Sequence, residues 1–284
     1  MSRTGPKEQT ELKMTKSIVS NVKYLKDDKT LAVYRASVAG GELVPHEGNY
    51  NSHSVSVRNA RESNTQFNLD IEGFRLVEQR TQVSDFYDDV QLTVYEDEVK
   101  KLLSQETDSS SVHIFDHTRR SSSASVRSTR NIREASSVIH NDYSDTSGHT
   151  RLRDYLESTH HAYDEELANR DFAIINVWRS MNGSINNHHL AMCLATSVPE
   201  TDLVPVKREG KDRMGEFQLM LHGDGHQWCY YPKMTFSEAL IFKTFDSRKD
   251  GRTRFTAHTA IEDPDAPDDA PPRQSIETRC FVFF

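Results

Sequence analysis

Short segments in which apolar and polar residues alternate dominate the chain from residue 17 onwards. Segments such as "SIVSNVKYL" and "SHSVSVRNA" are separated by Gly, Pro and Asn up to about residue 73, which predicts small strands and turns. From residue 137 on, denser segments follow one another, among them "FAIINVWRSM", "HLAMCLATSV" and "SIETRCFVFF". Their β-branched and aromatic residues, bounded by Gly, Pro or Asp, predict strand after strand.

Two stretches have the spacing of helices. Residues 83–107 carry acids early and lysines late, which complements the helix dipole and predicts one or two helices. Residues 146–170 place leucines and a tyrosine at helical spacing and predict an amphipathic helix or a pair of helices. Between them, "SSVHIFDHTRR" predicts a strand, and the Ser/Arg-rich "SSSASVRSTRNIREAS" predicts an exposed loop.

This order of elements favours a mainly β fold with flanking helices, a barrel or sandwich, over alternating βαβ units. We expect a flexible N-terminus at residues 1–16 and a single domain at 17–284, with core strands mostly within 110–284.

Composition narrows the function classes. The net charge is −8 and no Lys/Arg cluster stands out, so we expect no nucleic-acid partner. No apolar run reaches 18 residues and the N-terminus lacks an apolar signal region, so we expect a cytoplasmic protein without a membrane partner. We further expect a monomer or a homodimer. Cys193, Cys229 and Cys280 lie far apart in apolar strands, which predicts buried packing thiols rather than disulfides or a structural zinc site.

A candidate metal site begins directly after a short apolar segment, where His140 is followed two residues later by Asp142. In an extended strand these two side chains point the same way. An Fe(II) ion that must also bind a co-substrate and O₂ needs three ligands on one face, and two imidazoles with a carboxylate meet this need. His258, 116 residues beyond Asp142, is the best candidate for the third ligand. A lone His-X-Asp is a weak signal, and a surface turn is the alternative.

A chelating co-substrate such as 2-oxoglutarate also needs a cation for its distal carboxylate, a role that suits arginine. Arg273 lies 15 residues after His258 and opens the last predicted strand, with the Ser275 hydroxyl two residues on. Arg279 shares that strand face and is the second candidate. Its alternative is an ion pair with Glu277 or with a neighbouring strand.

Other polar residues offer competing sites. His226 is a rival for the distal ligand. His113, Asp116 and His117 form a second cluster on a predicted strand, which we interpret as structural or as a pocket wall. Arg179 follows a tryptophan at a strand end and is a candidate for binding a substrate carboxylate, with a structural salt bridge as the alternative.

Four segments, "HNDYSDTSGHTRLRDYL", "NVWRSMNG", "HQWCYYPKMTFSEALIFKTFDS" and "FTAHTAIEDPDAPDDAPPRQSIETRCFVFF", resemble the fungal asaB-type (CmcJ-like) hydroxylase/desaturase family. The resemblance runs from about residue 17 to 284. It implies a double-stranded β-helix core of the jelly-roll or cupin type, and a non-heme oxygenase of secondary metabolism that uses Fe(II), 2-oxoglutarate and O₂. The family's iron ligands fall on His140, Asp142 and His258, and its arginine motif falls on Arg273 and Arg279.

We therefore expect a dioxygenase that oxidises an unactivated C–H bond of a small metabolite or amino acid and releases succinate and CO₂. Hydroxylation, desaturation and oxidative ring closure are all compatible outcomes. Two alternatives stay open: a cupin-like metal-dependent isomerase or hydrolase, and a non-catalytic binding protein.

Overall fold

The computed structural model describes residues 16–27, 33–35, 39, 49–64, 66–159, 165–209 and 214–284. Most of the predicted N-terminal tail, residues 1–15, lies outside this set. In the first half of the described chain the strands are β1 Ser17–Leu25, β2 Val33–Arg35, β3 Tyr50–Asn59, β4 Phe74–Glu78, β5 Ser111–Ser121, β6 His140–Asn141 and β7 Phe172–Ser180.

In the second half, strands alternate with loops and short 3-10 turns. Its strands are β8 His189–Cys193, β9 Leu203–Glu209, β10 Met214–Met220, β11 Trp228–Tyr230, β12 Glu238–Asp246, β13 His258–Ile261 and β14 Gln274–Phe283. The helices are α1 Asp89–Glu106, α2 Ala124–Arg130, α3 Asp145–Thr159 and α4 Glu165–Ala168, with short 3-10 turns at Ala60–Glu62, Ala195–Ser197 and Glu200–Asp202.

The strands form two sheets. The larger has nine strands in the order β1-β3-β11-β8-β13-β6-β10-β9-β2, and the smaller has five in the order β4-β12-β7-β14-β5. The smaller sheet is antiparallel throughout, whereas the larger contains two parallel pairs, β3 with β11 and β2 with β9. The predicted mainly β, jelly-roll architecture with flanking helices is confirmed.

The two faces of the smaller sheet bury different chemistry. In β7, Ile175 and Val177 pack on one face with the buried side of α1. The intervening Asn176 and Trp178 point to the other face, because successive side chains of a strand alternate. Arg179 is a buried polar residue on the first face, but the second face brings Asn176 to Asp142, so it is the face that can build a site.

Helix α1 covers the outer face of this sheet. Its N-cap is Asp88, whose carboxylate accepts a 2.8 Å hydrogen bond from the backbone N–H of Gln91. Tyr95, Val99 and Leu103 are fully buried at helical spacing, and each such side chain stabilises the fold by about 1.5–3 kcal/mol. The predicted helix at 83–107 is therefore confirmed, with its start at residue 89.

The Ser/Arg-rich stretch differs from its prediction as an exposed loop, because it contains helix α2. The Ser123 hydroxyl caps its start by accepting from the N–H of Val126, and Asn131 ends it in the left-handed conformation at φ 52°. Arg127 is buried and donates to the backbone carbonyls of Ser121 and Ser122. A helix held by polar contacts has no apolar stripe that a sequence pattern would show.

The pair of helices predicted at 146–170 is present as α3 and α4. Leu152 and Leu156 of α3 pack with Phe172, Phe245 and Phe281 of the smaller sheet. The three cysteines are buried and free, as predicted. No helix in the described part of the chain is long and apolar enough to span a bilayer.

Candidate metal centre

His140, Asp142 and His258 come together in the structure. One nitrogen or oxygen atom of each lies within 4.8 Å of the corresponding atom of the other two. The convergence follows from strand pairing, because β6 is antiparallel to β13 and places His140 directly opposite His258. The two ring centroids are 4.4 Å apart. Asp142 was predicted on a strand with His140, but β6 ends at Asn141 and Asp142 is the first residue beyond it.

Backbone carbonyls fix the orientation of both imidazoles. Nδ1 of His140 donates to the carbonyl oxygen of Val138 at 2.8 Å, and Nδ1 of His258 donates to that of Thr256 at 3.0 Å. In each case the acceptor lies two residues earlier in the chain. A proton held on Nδ1 leaves the Nε2 lone pair of each ring available for a metal.

The carboxylate of Asp142 is held through one of its two oxygens. Oδ2 accepts from Nδ2 of Asn176 at 2.8 Å and from Nε of Arg279 at 3.0 Å. Oδ1 lies 3.7 Å from Nε2 of His140. The oxygen turned towards the imidazoles is therefore the one that Asn176 and Arg279 leave unbonded.

Electrostatics favour the metal-binding state of His140 and of Asp142. Burial, followed by repulsion from His258, lowers the pKa of His140 to about 3, so its imidazole is neutral at pH 7. Burial by itself would raise the pKa of Asp142, but Arg279 and the two imidazoles outweigh it and hold that pKa well below its usual range. Neutral imidazoles and an ionised carboxylate are the metal-binding forms of these side chains. Two nitrogens and one oxygen on one side of a shared centre fit Fe(II).

Arg279 is tied to carboxylates. Besides Asp142, its Nη1 donates to Oδ2 of Asp116 at 2.6 Å and to Oγ1 of Thr118 at 2.7 Å, and its Nη2 donates to Glu277. The ion pair with Glu277, the predicted alternative for this residue, is present.

Arg273 has a different environment. Only 4% of the residue is exposed, its Nε donates to Oγ of Ser275 at 3.2 Å, and its Nη1 donates to the carbonyl oxygen of His188 at 2.7 Å. Its guanidinium lies 4.9 Å from the ring centroid of Trp178. No carboxylate in the described ranges forms a salt bridge with it. Burial, then repulsion from Arg120, lowers the pKa of Arg273 to about 9.

The structure does not bring Arg179 to the metal ligands. It lies on the α1 side of β7, fully buried, where its Nη1 donates to the backbone carbonyls of Gln79 and Phe236 at 2.9 and 2.8 Å. Its guanidinium lies 5.7 Å from the Tyr95 ring centroid. These contacts are those of a structural residue, and they are not contacts of a substrate pocket shared with His140.

The rival histidines lie elsewhere. Nε2 of His226 is 3.0 Å from Oδ2 of Asp202, and its Nδ1 is 3.3 Å from the Tyr24 hydroxyl. His117 contacts Glu96 and a threonine of β14. Within the described segments, the group built on His140 is the one set of three His, Cys, Asp or Glu side chains with metal-site spacing.

Sequence reasoning missed the residues that support Asp142. Asn176 sits in the apolar strand segment "FAIINVWRS", and a lone amide in such a run was a usable signal, because a buried polar group requires partners. Asp116 was noted only as part of a different cluster, yet it reaches the site through Arg279. Arg120 stands opposite Ser275 in the β5–β14 pairing and was not considered.

The chain is similar to known proteins over most of its length. A family model described as the oxidoreductase/YMDC permease-like domain matches residues 22–283. The hydroxylase/desaturase CTB9 of Cercospora beticola is 32% identical over 267 residues, 86% of this chain and 81% of CTB9. The α-ketoglutarate-dependent dioxygenase phiK of a fungal species is 27% identical over 83% of this chain and 86% of its own length.

A solved structure shares the architecture. The iron- and α-ketoglutarate-dependent endoperoxidase NvfI superposes with a TM-score of 0.78 at 25% sequence identity, over 94% of this chain and 98% of NvfI. Fold and donor set together define an enzyme of the iron- and 2-oxoglutarate-dependent oxygenase class (α-ketoglutarate is another name for 2-oxoglutarate). Within that class, the chain belongs to the fungal hydroxylase/desaturase family of secondary metabolism.

Proposed function

We propose that the enzyme binds Fe(II) through His140, Asp142 and His258, and that it oxidises a C–H bond of a small metabolite. The observation that carries the proposal is the convergence of two Nε2 lone pairs and one free carboxylate oxygen within 4.8 Å. Bound iron would supply the activation of O₂ that is coupled to decarboxylation of 2-oxoglutarate into succinate and CO₂. The chain's own residues would orient the reactants and exclude water.

The distal carboxylate of 2-oxoglutarate would bind Arg273, with the Ser275 hydroxyl beside it. Arg273 is a buried cation without a carboxylate salt bridge in the described chain, and Arg120 adds a second positive charge nearby. Arg279 already serves three carboxylates, so a further anion there would meet strong repulsion. The contrast between the two arginines favours Arg273 for the co-substrate.

Hydroxylation, desaturation and ring closure remain the three expected outcomes of substrate oxidation. Relatives are named hydroxylase/desaturase, and one solved structure is named endoperoxidase. A cytoplasmic location, a monomeric or homodimeric state, and the lack of nucleic-acid or membrane partners are further predictions from composition.

The test measures the formation of succinate. Fe(II) is first bound to the protein under anaerobic conditions, and O₂ and 2-oxoglutarate are then added. We expect His140→Ala to abolish Fe(II)-dependent succinate release, since one of three ligands is lost. His222→Ala, on a partly exposed histidine of the "HGDGH" segment, is the matched control and should retain it. Metal binding without oxoglutarate consumption would instead support a cupin-like isomerase or hydrolase, and no tight metal would support a non-catalytic binding protein.

A further inference from the structure

Arg279 stands at the centre of a cluster of buried charges. Its guanidinium contacts Asp142 on one side, Asp116 on another and Glu277 two residues back on its own strand. The side chain of Arg279 is 12% exposed, that of Asp142 11% and that of Glu277 7%, whereas Asp116 keeps 42%. One cation therefore serves three carboxylates, two of which are secluded from water.

Strand register explains why these groups meet. On one side of β14, Arg279 is paired with Asn176 of β7, and on the other it is paired with Asp116 of β5. Cross-strand partners in a sheet are held close together by the backbone hydrogen bonds of the ladder. Asn176 and Arg279 thus approach Oδ2 of Asp142 as neighbours from two adjacent strands.

The charges of the cluster complement a divalent metal. With the three carboxylates ionised and Arg279 protonated, the cluster carries a formal charge of −2. Arg151 offsets part of this charge beside Asp116, and a divalent cation would offset it beside Asp142. Each charged group in a poorly solvated site needs such compensation.

We propose that Arg279, together with Asn176, is a positioning residue that occupies Oδ2 of Asp142 and so presents Oδ1 as the single metal-binding oxygen. The inference rests on the proposed function of the His140, Asp142 and His258 centre, and it assigns Arg279 a role distinct from co-substrate binding. The fork of Arg279 reaches Asp142 and Asp116 through different nitrogens, Nε and Nη1. An ammonium group at the same place has no such pair of separated donors.

Two variants separate positioning from charge. Arg279→Lys keeps the positive charge and removes the fork, while Asn176→Ala removes the neutral donor to the same oxygen. Arg61→Lys is the matched control, because Arg61 also makes a two-pronged contact with one carboxylate, that of Glu238, away from the site.

The probe is Co(II) added to the metal-free full-length protein, with affinity from calorimetry and coordination from the visible d–d spectrum. Loss of groups that orient metal ligands costs about 10–100-fold in metal affinity. We expect Arg279→Lys to weaken Co(II) binding by about 10–100-fold and Asn176→Ala by about 10-fold. Both should shift the Co(II) spectrum, because a released carboxylate changes its coordination mode. Arg61→Lys should match the unsubstituted protein.

Co(II) affinity within twofold of the unsubstituted protein and an unchanged spectrum for Arg279→Lys would overturn the inference while leaving the metal centre intact. Should Arg279→Lys fail to fold, Asn176→Ala decides by the same two measurements. A merely structural role would lower the thermal stability of the metal-free protein without changing the Co(II) spectrum. Absence of Co(II) binding to the unsubstituted protein would overturn the metal centre itself, and the inference with it.

Discussion

Arg273 and Arg279 lie six residues apart, next to and within β14. Arg273 is buried and the Arg279 side chain is 12% exposed, yet the two should respond differently to the same substitution. Replacing either arginine by methionine removes the charge and the guanidinium and keeps an unbranched apolar chain about as long as the aliphatic part of arginine. The charge of Arg273 forms no salt bridge with a carboxylate of the described residues, and Glu277 acts on it only at longer range. The charge of Arg279 forms ion pairs with three carboxylates.

The magnitudes follow from these environments. Burial and Arg120 lower the pKa of Arg273 from 12.5 to about 9. At about 1.4 kcal/mol per pH unit, the charged form therefore costs up to about 5 kcal/mol. The Trp178 contact and the two hydrogen bonds, to Ser275 and the His188 carbonyl, offset about 3–4 kcal/mol of this cost. Arg273→Met should therefore change the free energy of unfolding by less than about 2 kcal/mol in either direction.

Arg279→Met should be far more costly. The substitution leaves the largely buried carboxylates of Asp142 and Glu277 without their cation. Removing one partner of a buried ion pair lowers the free energy of unfolding by about 3–5 kcal/mol. The assay is urea unfolding of the metal-free variants at pH 7. Arg61→Met, at a partly exposed ion pair, is the control and should cost no more than about 1 kcal/mol.

The main effect of Arg273→Met should appear when 2-oxoglutarate binding is measured. Arg273→Met loses a charge-assisted contact worth about 1.5–3 kcal/mol, so affinity for 2-oxoglutarate with Mn(II) in the site should fall by about 10- to 150-fold. A loss of 3 kcal/mol or more in the stability of Arg273→Met, or 2-oxoglutarate binding that does not change, would refute the reasoning that separates these two arginines.

Three further outcomes are expected. Burial lowers the pKa of His189 to about 4. As the pH falls, the unfolded chain therefore takes up a proton at this histidine before the folded protein does. Stability should then fall as pH drops from about 6.5 towards 4, by up to about 1.4 kcal/mol per pH unit, and His189→Leu should flatten that slope in acid unfolding curves. Gly148→Ala in α3 should lower the melting temperature, although alanine favours helices, because its Cβ would overlap the Phe245 ring. Mn(II) should raise the melting temperature of the unsubstituted protein but not that of His258→Ala, and an equal rise in both would argue against this ligand.

Several elements could be predicted from local pattern because local physics determines them. Alternation and dense β-branched or aromatic segments predicted the strands, and acids early with lysines late predicted the helix that begins as α1 after Asp88. The two-residue spacing of His140 and Asp142 made them candidates for one site. Helix α2 escaped prediction because Ser123 and Arg127 stabilise it through polar contacts that leave no periodic apolar signal.

By itself, the sequence determined which residue types could bind a metal and an anion, and in what order they occur. Only the tertiary structure decided which of them meet. His258 becomes a partner of His140 because β6 and β13 are neighbours in the sheet, a pairing over more than a hundred residues that no local pattern records. Arg273 and Arg279 share one face of the last predicted strand, and the sequence favoured Arg273 only through its neighbour Ser275. Their environments differ because the fold brings Asp116 and Asp142 to Arg279, and the environment of a charge is a property of the packed fold.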